Sequence, residues 1–388
     1  MYKVVIMLLC CLFMTAAMQA QVITGAERTG EYLPLLKNKR VALLVNQTAT
    51  IGQTHLVDSL LKLHVHIQKI FSPEHGFRGN ADAGEKVASS KDPGTGLPIV
   101  SLYGKHRKAT AADLNDVDIL VFDIQDVGTR FYTYISSLQE LMESAAENNK
   151  PIIILDRPNP NGHYVDGPVL LDTSLRSFVG MQAVPVVHGM TVGEYARMLN
   201  GEKWLKNGVK CRLTVINCLH YDHHTLYQLP VKPSPNLPNM AAIYLYPSTC
   251  LFEGTVLSLG RGTDLPFQVF GHPSYPKELY SFTPRSTPGA KEPPLKNVTC
   301  YGYNLTGTPE AVNAAMDSKL QLKWLLQAYD LYEEKENFFT PFFDKLAGNT
   351  TLQRQIKQGL SEEDIRQSWE PALTQFKTIR KKYLLYAE

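Results

Sequence analysis

The residues best suited to catalysis lie in short polar segments that directly follow apolar runs of the chain. The most distinctive segment spans residues 72–79 and reads SPEHGFRG. Pro73 and Gly76 flank Glu74 in this segment, and such residues favour a defined loop over a mobile one. A glutamate directly after an apolar strand is well placed to become a partly buried proton donor. We therefore expect Glu74 to be a general acid, with a solvated loop carboxylate as the alternative.

A second polar segment, residues 123–130, reads DIQDVGTR and contains two carboxylates, an amide and a guanidinium. These groups suit a sugar, because carboxylates and amides hydrogen-bond to hydroxyls while an arginine pairs with an acidic substituent. Asp123 and Asp126 could instead bind Mg²⁺ or Ca²⁺. No third acidic residue follows at a regular spacing, so we expect a sugar site and no metal ion.

Polar residues also follow other apolar runs, and a glycine-rich stretch lies at residues 260–263. That stretch lacks the lysine of a phosphate-binding loop, and no GxSxG motif of an esterase occurs. We expect no cofactor. The candidate substrate-binding residues are Asn46, His75, Arg78, Gln125, Arg130, Asp156, Arg157, His188 and Arg261.

The apolar runs before these segments have the pattern of strands that are buried on both faces. The predicted strands cover residues 41–45, 65–71, 98–102, 117–122, 151–155, 184–187 and 213–216. Amphipathic helices are predicted between them at residues 55–63, 134–148 and 192–199. This alternation predicts an α/β fold with a Rossmann-like, doubly wound, mostly parallel sheet. Ligands bind beyond the carboxyl ends of such strands, where the polar segments would meet.

A proline-rich passage at residues 230–247 cannot continue a sheet or a helix, so it is either a domain connection or a rigid loop wall. Beyond it, helices are predicted at residues 320–332, after a capping box at residues 361–364, and at residues 372–385. We expect an N-terminal catalytic domain at residues 21–245 and a smaller α+β domain at residues 246–388 that closes a cleft.

The first twenty residues predict a cleaved secretory signal, because Lys3 precedes a short apolar run and Ala20 precedes Gln21. An uncleaved anchor and a lipid-modified Cys10 or Cys11 are the alternatives. The mature protein is therefore expected to be periplasmic or secreted, with no membrane span. Four later cysteines allow disulfides but do not define a pairing. The chain has 39 basic and 37 acidic residues, which gives no electrostatic case for a nucleic-acid partner.

Five segments together resemble the exo-β-N-acetylmuramidase family, long known only as a domain of unknown function. They are residues 46–48 (NQT), 72–79 (SPEHGFRG), 123–132 (DIQDVGTRFY), 155–160 (LDRPNP) and 383–386 (YLLY). The resemblance implies a Rossmann-like domain, a smaller C-terminal domain and a site in the cleft between them. It implies release of β-1,4-linked N-acetylmuramic acid from the non-reducing end of peptidoglycan fragments, in cell-wall turnover or recycling. The family's proposed catalytic glutamate lies in the SPEHG motif and so falls on Glu74.

Glycoside hydrolysis needs an acid and a group that stabilises an oxocarbenium-like centre. For the second role Asp123 and Asp126 are candidates, and so is the 2-acetamido oxygen of the substrate itself. An arginine is the natural partner of the lactyl carboxylate that distinguishes muramic acid from glucosamine. Arg130 is the first choice among Arg78, Arg130, Arg157 and Arg261. A sugar-binding protein without turnover and a metal-dependent hydrolase using Asp123 and Asp126 remain the alternatives.

Overall fold

The computed structural model describes residues 20–79 and 90–388, so the predicted secretory signal lies outside the described residues except for Ala20. The strands form one large sheet, one small sheet and a two-stranded ribbon. In chain order they are β1 Val41–Val45, β2 Thr50–Ile51, β3 Thr54–His55, β4 Ile67–Ser72, β5 Ser90–Lys91, β6 Pro98–Ser101, β7 Ile119–Asp123, β8 Pro151–Leu155, β9 Arg212–Ile216, β10 Val269–His272, β11 Tyr280–Phe282 and β12 Cys300–Asn304.

The large sheet has seven strands in the order β5-β6-β4-β1-β7-β8-β9. Its strands run parallel except for the edge strand β5, which is antiparallel to β6. All five residues of β1 are buried, as a strand covered on both faces requires. The predicted α/β fold with a doubly wound, mostly parallel sheet is confirmed. Its carboxyl ends bring the loops after β4, β6 and β7 to one edge.

The helices are α1 Thr29–Leu36, α2 Leu56–Lys62, α3 Ala111–Leu114, α4 Tyr134–Glu147, α5 Val192–Gly201, α6 Met240–Thr249, α7 Pro309–Met316, α8 Lys323–Leu331, α9 Phe343–Ala347, α10 Thr351–Lys357 and α11 Glu362–Arg380. Thr191 caps α5 with a reciprocal bond to Glu194, and Ser361 caps α11, which confirms the helix start predicted at residues 361–364. The separate helix predicted at residues 372–385 is wrong. A single helix accommodates Pro371 and ends at Arg380.

The strand predicted at residues 184–187 does not belong to the sheet. Val187 forms isolated antiparallel bridges with Thr129 and Asp166 instead. Pro185 has no N–H group, which makes this run unsuitable for a central strand. The carbonyl of Val184 also accepts a side-chain hydrogen bond at 2.8 Å. The run therefore crosses the loops beyond the sheet rather than extending it.

Residues 230–239 of the proline-rich passage form a loop wall, and α6 begins at Met240, within the passage. The carbonyl of Pro233 accepts the Tyr132 hydroxyl at 2.9 Å, which anchors the wall to the N-terminal domain. The expectation that the passage excludes helix up to residue 247 is wrong, because Pro247 lies inside α6. A proline there cannot donate to the carbonyl of Ile243, and the Asn161 side chain donates to that carbonyl instead, at 3.2 Å.

The C-terminal part packs helices around a small antiparallel sheet with the order β10-β12-β11. One hydrophobic core joins it to the large sheet, since the same cluster contains Phe122 from β7 and Phe376 from α11. The last residues return to the N-terminal domain, where the backbone of His223 donates to Ala387 at 2.9 Å. Across the described ranges, each helix is too short or too polar to cross a membrane. Cys211, Cys218, Cys250 and Cys300 are buried, unpaired thiols.

Candidate active site

An open cleft of about 890 Å³ lies between the two parts of the molecule. One wall comes from the loops after β4, β6 and β7 together with residues 177–179 and the proline-rich wall. The other wall comes from residues 252–261 and 289–294 and from the start of α9. This placement at the carboxyl edge of a parallel sheet is the usual one for a ligand site.

Glu74 lies in the first wall, directly after β4, and is half-buried. The Tyr103 hydroxyl donates to its Oε1 at 2.8 Å, and the Thr133 hydroxyl donates to its Oε2 at 2.8 Å. Thr133 immediately precedes the fourteen-residue helix α4, so the carboxyl group of Glu74 lies near a helix N-terminus. Both oxygens are thus oriented by the protein while the group faces the cleft.

The backbone that carries Glu74 has an uncommon conformation. His75 and Gly76 have positive φ values of 68° and 75°, and a side chain rarely adopts such values. The amide of Gly76 donates to the carbonyl of Pro73 at 3.0 Å and closes the turn. His75 lines the cleft next to Glu74 and is itself buried. The SPEHG segment is therefore a tight, internally bonded loop.

Tyr103 and Arg107 extend this wall. The pKa of Tyr103 is raised, first by burial and then by the adjacent Glu74, and Arg107 acts in the opposite direction. The Arg107 guanidinium lies 4.6 Å from the centre of the Phe178 ring and packs against this part of the wall. Sequence reasoning missed both residues. Tyr103 could have been found, because it follows β6 in the same way that Glu74 follows β4.

The opposite wall contributes an ion pair between Glu253 and Arg261. Arg261 donates from Nε to Oε1 of Glu253 at 2.9 Å and from Nη2 to the same oxygen. Its guanidinium also packs over the Phe267 ring at 4.9 Å. Arg261 is thus the one arginine among the four predicted lactyl partners that lines the cleft. Sequence reasoning missed Glu253, which no strand-end pattern indicates.

Asp123 lies away from the cleft in a buried ion pair. Its two oxygens accept from Nε and Nη2 of Arg157 at 2.5 and 2.8 Å, and both side chains are almost fully buried. Arg157 also donates to the backbone of Thr50 at 3.1 Å. The structure therefore places neither Asp123 nor Arg157 in the lining of the cleft, where their predicted catalytic and substrate-binding roles would require them.

Asp126, Gln125 and Asn46 are also buried and absent from the cleft lining. The Asp126 carboxyl accepts from the Gly128 amide at 2.7 Å, and burial raises its pKa to about 7. Gln125 donates to the carbonyl of Pro158 at 2.7 Å. Asn46 accepts from the Thr48 amide at 2.9 Å. These side chains organise the loops beneath the cleft rather than its surface.

Arg130 is completely buried, which corrects the expectation that it reads the lactyl group. Its guanidinium donates to the carbonyls of Pro168 and Val184 at 2.8 Å and of Leu346 at 2.7 Å. A Cβ on Gly348 would lie 2.6 Å from its Nη2, so the C-terminal part closes tightly over it. Arg130 therefore ties the two parts of the molecule together and is not accessible to a substrate.

Asp156 and His188 belong to the same buried layer. Asp156 accepts from the Thr191 and Tyr386 hydroxyls at 2.7 and 2.6 Å and from the Gly193 amide at 2.7 Å. Burial raises its pKa to about 6 despite these bonds. Burial lowers the pKa of His188 to about 3, with further lowering by nearby arginines, so the ring is neutral. The terminal YLLY motif thus serves to hold the C-terminus on the sheet.

Arg78 does not line the cleft. It pairs with the buried Asp92 at 2.7 Å and is about half exposed. Of the predicted site residues, Glu74, His75 and Arg261 line the cleft, and the others do not. Among residues 20–79 and 90–388, no group of three or more His, Cys, Asp or Glu side chains could hold a metal ion. The Arg157 pair also occupies the Asp123 oxygens that the metal-dependent alternative requires.

Two family models match consecutive parts of the chain. The model described as "Exo-beta-N-acetylmuramidase NamZ, N-terminal" matches residues 41–241, and the corresponding C-terminal model matches residues 244–386. The chain is 40% identical over 377 residues to the peptidoglycan beta-N-acetylmuramidase NamZ of Bacillus subtilis (strain 168). That match covers 92% of this chain and 89% of the relative.

Two crystal structures of DUF1343 family proteins from Bacteroides fragilis NCTC 9343 have the same fold. The first is 50% identical, with a TM-score of 0.88, and covers 95% of this chain and 100% of that chain. The second is 30% identical, with a TM-score of 0.74, and covers 94% of this chain and 99% of that chain. The likeness therefore spans both parts of the molecule and the cleft between them.

Proposed function

The chain belongs to the exo-β-N-acetylmuramidase NamZ family, and on this premise we propose that its cleft releases N-acetylmuramic acid from the non-reducing end of β-1,4-linked peptidoglycan fragments. The protein is accordingly a glycosidase of cell-wall turnover or recycling. The observation that carries the proposal is the oriented carboxyl group of Glu74 in a cleft large enough for sugar residues.

Glu74 acts as the general acid. The hydroxyl of Thr133 can donate to a carboxylate and can also accept from a protonated carboxyl group, so its contact suits both states of a proton donor. Tyr103 donates to the other oxygen, Oε1. The two contacts together fix the orientation of the carboxyl group and so the direction in which it donates its proton. Such orientation makes a general acid effective, because the proton must lie within hydrogen-bond reach of the leaving oxygen.

The lactyl carboxylate is bound by Arg107. Its guanidinium packs over the Phe178 ring, and it forms no ion pair with any carboxylate of the described residues. Arg107 interacts electrostatically with Tyr103, the residue that donates to Glu74. Arg261, in contrast, already forms an ion pair with Glu253. A planar, unpaired guanidinium can bind a carboxylate through two parallel hydrogen bonds. This assignment replaces Arg130, whose guanidinium is buried.

The test of the function is release of free N-acetylmuramic acid from a chromogenic muramide and from a muramic acid–glucosamine disaccharide. Glu74→Gln is nearly isosteric and is expected to reduce kcat by about a hundredfold or more, since it removes the general acid. Thermal unfolding should be unchanged. A Glu74→Gln variant with wild-type turnover on the disaccharide would remove Glu74 from the mechanism, and binding without release by the wild type would favour a sugar-binding protein.

Selectivity is tested with paired muramic and glucosamine substrates. Arg107→Ala should lower kcat/KM for the muramic substrate by about tenfold or more, because a charge-assisted contact is lost. The wild-type protein is expected to cleave the glucosamine substrate poorly, and Arg107→Ala should leave kcat/KM for that substrate unchanged. Arg176→Ala, an exposed arginine outside the cleft lining, is the matched control. An unchanged preference in Arg107→Ala would assign the lactyl group to another cation of the cleft.

We also propose that the protein is exported to the periplasm or secreted. The support is the sequence of residues 1–20 alone, with its basic start, apolar run and small residues. N-terminal sequencing of the protein purified from its native cells should begin at Gln21. A mature chain that retains Met1 would contradict cleavage and favour an anchor.

A further inference from the structure

We propose that Glu253 is the second catalytic carboxylate of the cleft and takes the proton of the water that attacks the anomeric carbon. This inference rests on the proposed function, because it requires a glycoside to be hydrolysed in the cleft. It assigns the role that the sequence left open among Asp123, Asp126 and the acetamido group of the substrate.

The two aspartates are unsuited to this role because of where they lie. Both oxygens of Asp123 are bound by Arg157 in a fully buried pair. Asp126 is 5% exposed and is absent from the cleft lining. A base must lie within hydrogen-bond reach of the proton that it accepts, directly or through one water. The second catalytic group must therefore come from another part of the cleft.

The cleft-lining part of the described chain offers three carboxylates, which are Glu74, Glu253 and Glu292. Glu292 is 80% exposed and pairs with Lys296 on a surface loop at 2.7 Å. Glu253 is only 24% exposed and lines the same cleft as Glu74. Hydrolysis with two carboxylates needs them on two sides of the scissile bond. Glu74 lies in the loop after β4 and Glu253 in the C-terminal part, so the two carboxylates reach the cleft from different parts of the chain.

The element that carries Glu253 is rigid. It lies in a single-turn helix, Cys250–Gly254, whose Leu251 and Phe252 are buried. Phe252 stacks on Phe270 with ring centres 4.5 Å apart. Gly254 meets α9 so closely that a Cβ would lie 2.4 Å from the Cα of Phe343. A catalytic group needs such support, because small displacements reduce its effect.

The contacts of Glu253 suit a base. Arg261 binds Oε1 through Nε and Nη2, and these two bonds fix the orientation of the carboxyl group. The other oxygen, Oε2, has the weakly donating thiol of Cys250 at 3.7 Å. One oxygen is thus held by the guanidinium, while the other can accept a hydrogen bond from water. Arg261 acts here as a positioning residue.

The step consumes one water molecule. Glu74 gives its proton to the glycosidic oxygen as the bond between C1 and that oxygen breaks, and the bonding electron pair leaves with the oxygen. The oxygen of water forms the new bond to C1, and its proton passes to Glu253. Solvent then returns a proton to Glu74 and accepts one from Glu253. Because water attacks from the opposite face, the first product is the α-anomer.

The test compares Glu253→Gln and Glu253→Asp with Glu292→Gln, the rim carboxylate that pairs with Lys296. Glu253→Gln should reduce kcat by about a hundredfold or more and remove the acidic limb of the pH profile of kcat/KM, which reports a base. Glu253→Asp keeps the ion pair but withdraws the carboxylate by one methylene, so kcat should fall by about tenfold with little change in KM. Glu292→Gln should change kcat by less than about twofold.

Wild-type kcat and an unchanged acidic limb in Glu253→Gln would overturn the proposal, and so would a β-anomer as the first product in time-resolved NMR. If Glu253→Gln fails to fold, as judged by circular dichroism, Glu253→Asp decides through its kcat. A wild-type protein that releases no muramic acid would instead contradict the proposed function. Loss of activity in Glu74→Gln together with normal activity in both Glu253 variants would contradict this inference alone.

Discussion

Two loops at the same edge of the sheet carry carboxylates whose surroundings are opposite. Glu74 follows β4 and faces the cleft, where two hydroxyl groups hold it. Asp123 ends β7, two positions away in the sheet, and is sealed in an ion pair with Arg157. Both sit where a ligand site is expected, and only one is accessible. A position at a strand end therefore predicts a polar side chain, but the parts of the chain that fold over it decide its role.

The difference divides the polar residues into an open group and a covered group. Substitutions in the open group around Glu74 can change activity without changing stability, because these side chains contact solvent or substrate. The covered group around Asp123 and Asp156 should behave in the reverse way, because a buried charge that loses its partner is costly.

Arg157→Met should be the most destabilising change. It leaves the carboxylate of Asp123 buried without its partner, which costs about 3–5 kcal/mol in the free energy of unfolding. Urea denaturation measures this loss, and kcat per folded molecule should stay close to the wild-type value. Normal stability combined with a large loss of kcat would show that the covered group takes part in the chemistry, and the comparison would fail.

Asp126→Asn should change the pH dependence of stability. Burial raises the pKa of Asp126 from 3.8 to about 7 in the folded protein. Between these values the folded state binds the proton that the unfolded state has lost, so stability falls as the pH rises through this window, by a few kcal/mol. The amide does not ionise. Relative to the wild type, the variant should therefore be more stable at pH 8 than at pH 5, and equal differences at both pH values would contradict a buried, protonated Asp126.

A Tyr→Phe substitution in each group removes a single hydroxyl oxygen and tests the division between the two groups. Tyr103→Phe removes a donor to Glu74 and should lower kcat by about tenfold with little loss of stability. Tyr32→Phe removes the buried bond to the carbonyl of Ala26, at 2.8 Å, and should cost about 1 kcal/mol of stability with kcat unchanged. Kinetics and thermal unfolding of both variants are the measurements. An exchange of the two phenotypes would contradict the division.

Chelation should have the smallest effect. The cleft carboxylates of the described residues are bound by hydroxyls or cations, and Asp123 is paired with Arg157. We expect excess EDTA to leave the release of muramic acid intact. A loss that added Mg²⁺, Ca²⁺ or Zn²⁺ restores would make a divalent ion part of the mechanism.

The continuous apolar runs of the sequence were enough to predict most of the large sheet, because strands that are buried on both faces need such runs. The prediction failed at residues 184–187, where apolar composition is typical of a strand but Pro185 and the loop contacts override it. Glu74 was predictable from its place after β4. Arg130 was misjudged because its burial depends on Leu346, 216 residues later in the chain. Glu253 was missed for the same reason, since its wall exists only after the C-terminal part has packed.

The contact between Tyr386 and Asp156 has a consequence for the order of synthesis. These partners lie 230 residues apart, so the phenol is translated long after the carboxyl group that it contacts. A nascent chain that has already made β8 still carries Asp156 without this donor. The N-terminal domain therefore completes its buried network only after residue 386 has been translated. A chain that stops at residue 380 would contain every strand of the large sheet but would lack this donor to Asp156.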